Sequence, residues 1–367
     1  VEIDVPSTRA NLTLLYFHTL FHSHQRLLPV FLAHEKYSIL NGNRYKIGQK
    51  LEGNFGSYLV SAQVAKNVWT ATKNVMTFRH RHSETDKVVV KTAPAARFEN
   101  ERNILKQFQG RPYIRQMLDE TKEPPSMVLK HLDVNLLSAS AEKAIQGLDV
   151  KIVAKIILQA LRALHEEGYA HTDIKPDNIL ANYGQGPLRF ADIQVADLGD
   201  VTRINPAEYL EIGKSGSHIG AAIFRSPEAM LNLRWGPSTD IWSFGATLIS
   251  FIWGCHYHIF KPDPKDADFD DEVYDTHVLI RQIAIFGPVP PSYATLIAEE
   301  DESRWEVLGA AIQFVYENDR RKPFVLAKDE CLTEEDKEFI LKIMKFDPRD
   351  RPTAEKLLRD KWFAGVP

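Results

Sequence analysis

His171-Thr172-Asp173-Ile174-Lys175-Pro176-Asp177-Asn178 decides how the rest of this chain is read. Asp173, Lys175 and Asn178 are spaced for one short loop. A carboxylate can take a proton from a hydroxyl, an ammonium two residues on can neutralise a phosphoryl group in flight, and an amide three further on can ligate a metal. Phosphoryl transfer needs this kind of set, because the protein's work there is positioning and charge neutralisation.

The flanking sequence supports an ordered loop. Upstream, Asp149 is a plausible N-cap, and Val153, Ile156, Ile157, Ala160, Leu161 and Leu164 recur at spacings of three and four until Gly168. That pattern predicts a long amphipathic helix leading into the loop. Downstream, Ile179-Leu180-Ala181 predicts a strand, Tyr183 to Gly186 a turn, and a return strand ending at Asp197-Leu198-Gly199. An Asp-Leu-Gly triplet alone is common in turns. It gains weight by following the loop with one hairpin between.

Earlier in the chain, Lys87-Val88-Val89-Val90-Lys91 is a β-branched run, hence a buried strand with a lysine at its end. Lysine at a strand end is ordinarily a surface residue, so the reading of Lys91 depends on a partner. Glu99 to Gln107 has helical periodicity and carries Glu101 on a face with Ile104 and Phe108. Tyr45 to Leu51, Tyr113 to Leu118 and Ser126 to Leu129 read as further strands, the last two around Glu123-Pro124-Pro125. The helix opened by Asp240-Ile241-Trp242-Ser243-Phe244-Gly245 is apolar nearly all round, as a central buried helix should be.

Composition sets bounds. The 367 residues carry a net charge of -4, with 44% hydrophobic and 26% charged residues. This is ordinary for a globular chain and gives no argument for nucleic acid as a direct partner. Two distant cysteines, Cys255 and Cys331, make no disulfide framework and predict an intracellular protein in cytoplasm or nucleus. No apolar run is long enough to span a bilayer. Between Asp4 and Glu35 there is no acidic residue, so residues 1–44 read as a flexible or targeting extension, with organelle targeting as the sharper version.

The loop HTDIKPDN resembles the catalytic loop of the eukaryotic protein kinases of serine/threonine type, with Thr172 where most of them carry Arg. Glu101-Arg102-Asn103-Ile104-Leu105, Ser226-Pro227-Glu228 and Asp347-Pro348-Arg349-Asp350-Arg351-Pro352 resemble other stretches of that family. His-Thr-Asp with Asp-Leu-Gly is similar to the SR-protein kinases in particular, in a short, divergent form without their large spacer. The resemblance implies an α+β fold of two lobes over residues 45–363, a small β-rich N-lobe at 45–130 and a larger helical C-lobe at 133–363.

It also implies roles. Asp173 would accept or orient the substrate hydroxyl proton, and Lys175 would contact the γ-phosphate. Lys91, paired with Glu101, would hold the α- and β-phosphates. Asn178 and Asp197 would bind Mg2+. Val68, Leu129 as gatekeeper and the backbone at Lys130 and Leu132 would surround adenine. Asp240 would tether the catalytic-loop backbone, and Arg351 would pair with Glu228. Two alignments of the phosphate lid are open. One uses Gly53-Asn54-Phe55-Gly56; the favoured one uses Gln63 to Asn67, which holds no glycine.

The implied reaction moves the γ-phosphoryl group of ATP, with Mg2+, to Ser or Thr of a protein, with the enzyme as a monomer. The acidic run Asp263 to Asp275 is a solvated loop or a dock for Arg-rich substrates. Most serine/threonine kinases place Thr where Ala221 stands, so a pseudokinase or nucleotide-binding scaffold with a degenerate lid is the alternative, and a small-molecule phosphotransferase is a third reading. Without an arginine at 172, a phosphate in the segment Asp200 to Arg225 loses its main partner.

Overall fold

The computed structural model describes residues 44–74, 87–205, 215–298 and 300–367. The reading of the N-terminal extension, save its last residue, lies outside the described residues, as do residues 206–214 of the segment after Asp200. The chain divides into units Val1–Lys46 and Ile47–Pro367, and the fold below is that of the second.

Six antiparallel strands make the small lobe: β1 (Lys50–Glu52), β2 (Ser57–Ala65), β3 (Val68–Asn74), β4 (Lys87–Lys91), β5 (Met117–Lys122) and β6 (Pro125–Lys130), in the order β1-β2-β3-β4-β6-β5. The β-branched run behaves as its composition predicts, with Val88, Val89 and Val90 buried. The strand expected over Tyr45 to Leu51 is shorter, because the backbone turns at Gly48, where φ is +81°. The strand expected at Tyr113 begins four residues later. Tyr113 and Arg115 instead exchange backbone bonds with Val195 of the large lobe, at 2.9 Å each. Helix α1 (Ala95–Gln107) starts earlier than Glu99, directly after Pro94, because Pro94-Ala95-Ala96 favours a helical first turn.

The larger lobe is helical. Helix α2 (Leu136–Glu142) precedes α3 (Gly147–Glu166), which buries Val153, Ile157, Ala160, Leu161 and Leu164. Asp149 is not its N-cap. The helix begins two residues earlier, and the Asp149 carboxylate sits in the first turn, accepting from Arg189 N at 2.9 Å. The short strand β7 (Val134–Asn135) leads into α2, and β8 (Tyr169–Ala170) leads into the loop that begins at His171. The hairpin of β9 (Ile179–Tyr183) and β10 (Phe190–Val195) follows, then β11 (Thr202–Arg203) paired with β8. After α4 (Pro227–Met230) comes α5 (Ser238–Trp253), buried without a break from Thr239 to Ile252. Helices α6 (Tyr274–Phe286), α7 (Glu302–Glu317), α8 (Glu334–Ile343) and α9 (Ala354–Leu358) follow; α8 packs on α5, α9 on α3 and α7 on α6. Among the described residues no helix is long and apolar enough to cross a membrane.

One buried carboxylate organises the outer end of the small lobe. Asp119 on β5 accepts from Asn54 N and Phe55 N at 2.9 Å each, and from the Tyr58 hydroxyl at 2.8 Å. Burial, then the bond to Asp119, pushes the Tyr58 hydroxyl well above the usual phenol range. Asp119→Ala removes these three bonds and a fourth from Glu120 N at 2.8 Å, at a site only 3% exposed. Leaving those donors unpaired costs about 1–3 kcal/mol, so a drop in the urea midpoint with unchanged slope is the expected result.

Candidate active site

The site is assembled from the ends of strands. Lys91 ends β4, and its Nζ donates to Glu101 Oε1 of α1 at 2.8 Å and to Asp197 Oδ1 at 2.7 Å. The partner that decides the reading of Lys91 is therefore in place. Glu101 is 2% exposed. Burial raises its carboxyl above the ordinary value, and Lys91 pulls in the opposite direction. Burial also works to raise Asp197, but Lys91 and then Arg97 override it and hold that carboxyl low. The signs differ accordingly. A lowered Asp197 contributes stability above its unfolded value, lost as pH falls through its folded value; a raised Glu101 contributes below its unfolded value, lost as pH rises through its folded one.

A second cluster lies in the catalytic loop. Lys175 Nζ donates to Asp173 Oδ2 at 2.9 Å, and Asn178 Nδ2 donates to Asp173 O at 2.8 Å and Oδ2 at 3.0 Å. Asp240, at the start of α5, fixes the loop from below: His171 N donates to its Oδ2 at 2.7 Å and Thr172 N to its Oδ1 at 2.8 Å. This matches the tether that the sequence resemblance implied. The two clusters are adjacent along the backbone, since Ala196 N donates to Asn178 O at 2.8 Å and His171 Nε2 lies 3.2 Å from Ala196 O. Gly220 closes over the loop with φ +54°. A Cβ there would stand 2.6 Å from Thr172 O, so only glycine allows this approach.

Val68 sits directly across from Lys91 in the β3–β4 register. On the other side β2 and β3 pair up to Ala65 and Val68, leaving a two-residue turn, Lys66-Asn67, with Asn67 at φ 62°. The favoured lid alignment therefore agrees with the strand register, and the turn holds no glycine. The rival stretch Gly53 to Gly56 is the β1–β2 turn bound to Asp119. Leu129, fully buried, faces Val89 across the β4–β6 ladder, and Leu132 is buried just beyond β6.

Two functional candidates escaped the sequence reading. Arg97 lies one helical turn before Glu101, and its Nη2 is 3.3 Å from Asp197 Oδ2; the spacing of four could have flagged it. Arg115 carried no signal at all. Its Nη2 donates to Lys130 O at 3.3 Å, and burial draws its guanidinium down to about 10, opposed by Glu101 and Asp197.

The donor set can be tested for fit to ATP with Mg2+. A hard divalent cation takes oxygen ligands, and Mg2+ in particular is held by one or two protein groups plus phosphate oxygens. Asp197 offers a carboxylate whose bonded side-chain partners are cations. Asn178 spends its amide nitrogen on Asp173, which leaves its amide oxygen as the ligand atom. The residues fit the group.

The architecture and these contacts define a class. The protein kinase domain family matches residues 45–363, and the chain belongs to that family. Among known relatives, the dual specificity protein kinase YAK1 homolog of Arabidopsis thaliana is 29% identical over 182 residues, 49% of this chain and 17% of that protein. The match thus spans well under two thirds of that relative's length.

Proposed function

We propose that this chain is an ATP-dependent protein kinase that phosphorylates Ser or Thr of a protein substrate. The observation that carries the reading is Lys91 bridging Glu101 and Asp197, because an ammonium held between α1 and the metal-side carboxylate is the arrangement that positions phosphates. ATP held with Mg2+ supplies the γ-phosphoryl group and the divalent charge that offsets its oxygens. Asn178 and Asp197 would hold the metal, and Lys91 would orient the phosphates. Asp173 orients the acceptor hydroxyl and receives its proton, and Lys175, already on Asp173, neutralises charge beside it.

Likeness to the SR-protein kinases, and with it an Arg-rich substrate, is the finer form of the proposal. It is supported by Thr172, by Asp-Leu-Gly, and by exposed Asp268, Asp270 and Asp271 before α6. Two other acids of that run are engaged, Asp275 with Arg225 and Asp266 with Arg320. The glycine-free Lys66-Asn67 turn favours a second reading, a nucleotide-binding scaffold with a weak phosphate lid.

The test incubates the protein with γ-labelled ATP, Mg2+ and a panel of basic and acidic proteins, with Asp173→Ala as control. Label on a protein acceptor from wild type alone supports the kinase. Nucleotide binding without turnover supports the scaffold, and label confined to added small metabolites supports a small-molecule phosphotransferase. Phosphatase treatment beforehand is expected to leave most of the activity, since Thr172 offers no cation to a phosphate.

A further inference from the structure

Arg97 is a cation that the kinase reading does not use, yet it stands at the metal-side carboxylate. Its Nη2 lies 2.8 Å from Asp200 Oδ2 but 3.3 and 3.4 Å from the two oxygens of Asp197. By distance Asp200 is the nearer partner, through an ion pair, whereas the two longer contacts to Asp197 are hydrogen bonds. An isolated pair this exposed, 41% at Arg97 and 47% at Asp200, would contribute little. This one is part of a knot. Arg97 lies across Gly199, where a Cβ would come within 2.6 Å of its Nε. Asn100, on the same face of α1, donates to Gly199 O at 3.0 Å and Val201 O at 2.9 Å. From the other side Thr172 Oγ1 donates to Asp200 O at 2.9 Å. Helix α1, the segment after Asp197 and the catalytic loop thus meet at Asp200.

We propose that Arg97 is a positioning residue: shared between Asp197 and Asp200, it clamps the metal-side segment onto α1, and it passes wholly to Asp200 when a divalent cation takes Asp197. The physical reason is charge. A dication on Asp197 repels a guanidinium at 3.3 Å, and the closer ion pair with Asp200 lets Arg97 withdraw without releasing the segment. The inference rests on the kinase reading for its catalytic consequence, but the clamp itself has a readout independent of turnover.

That readout is amide hydrogen exchange over residues 198–203, compared for wild type, Arg97→Gln, Asp200→Asn, the double variant and Arg97→Lys. Exchange is expected to quicken by about tenfold in each of the first two variants, the size of coupling seen within one charge network. The double variant should be no faster than either single one, and Arg97→Lys should recover part of the protection. In turnover, kcat should fall by a similar factor while KM for ATP changes little. Wild-type exchange in Arg97→Gln, or losses that add in the double variant, would overturn the clamp. So would a higher rate and a lower half-saturating Mg2+ in Arg97→Gln, because Arg97 would then be only a competitor of the metal. If wild type transfers no phosphate at all, the proposed function fails, and the exchange result still decides on the clamp.

Discussion

Asp197→Asn is expected to lower phosphoryl transfer by about a thousandfold, the scale on which removing one fixed group that meets transition-state charge acts. Asparagine keeps the shape and removes the anion. Lys91 keeps Glu101 at 2.8 Å but loses the charge of its 2.7 Å ion pair with Asp197, and the carboxylate offered to a divalent cation is gone. The fold should survive, since the side chain at 197 is 29% exposed. A pH dependence accompanies the loss. Asp197 is held below its ordinary value near 3.8, so its stabilising share is present at neutral pH and disappears in acid. The gap in thermal stability between wild type and Asp197→Asn should therefore narrow as pH falls through that region. Rapid-quench assays measure the first effect, and thermal melts across a pH series measure the second.

The largest effect on stability is expected at Arg351→Ala. Arg351 and Glu228 are 0% and 1% exposed, joined by two bonds of 2.7 and 2.8 Å. The guanidinium also donates to Lys345 O, Phe346 O and Ser238 O, and lies 5.1 Å from the centre of the Trp242 ring. Removing it strands a buried carboxylate and three carbonyls. Breaking a buried pair from one side costs about 3–5 kcal/mol, or about ten degrees in a domain of this size. Replacing both partners with methionine should cost less than Arg351→Ala alone, because no charge is then left unpaired. A double variant as unstable as the single one would assign the stability to the packing on Trp242 rather than to the charge pair.

The features that sequence made legible are those carried by local pattern or by a pair of motifs. The β-branched run ending at Lys91, the amphipathic helix before the loop and the apolar helix after Asp240 all follow from periodicity. The pairs Lys91–Glu101 and Glu228–Arg351 were legible because both members sit in recognisable stretches. Boundaries were less so. Asp149 mimicked an N-cap while serving Arg189, and the start of the strand expected over Tyr113 to Leu118 pairs with Val195 at the end of β10 instead of with the small-lobe sheet. Asp119 could not be found, because three of the donors that bond it, two backbone amides and the Tyr58 hydroxyl, lie 61 to 65 residues away. Arg115 was hidden for the opposite reason: an arginine beside Gln116 and near Arg111 reads as surface until its surroundings are known.

Everything functional here depends on Lys91, Asp173 and Asp197 acting on one nucleotide. A single-turnover experiment, with the protein in excess over labelled ATP and an acceptor protein present, tests this directly. Lys91→Met, Asp173→Ala, Asp197→Asn and the triple variant are compared with wild type. Groups that act as one unit lose their effect together, so the triple variant should be no slower than the slowest single one, with wild type alone passing label to the acceptor. Partial losses that multiply across the three positions, or transfer that persists without them, would contradict the account.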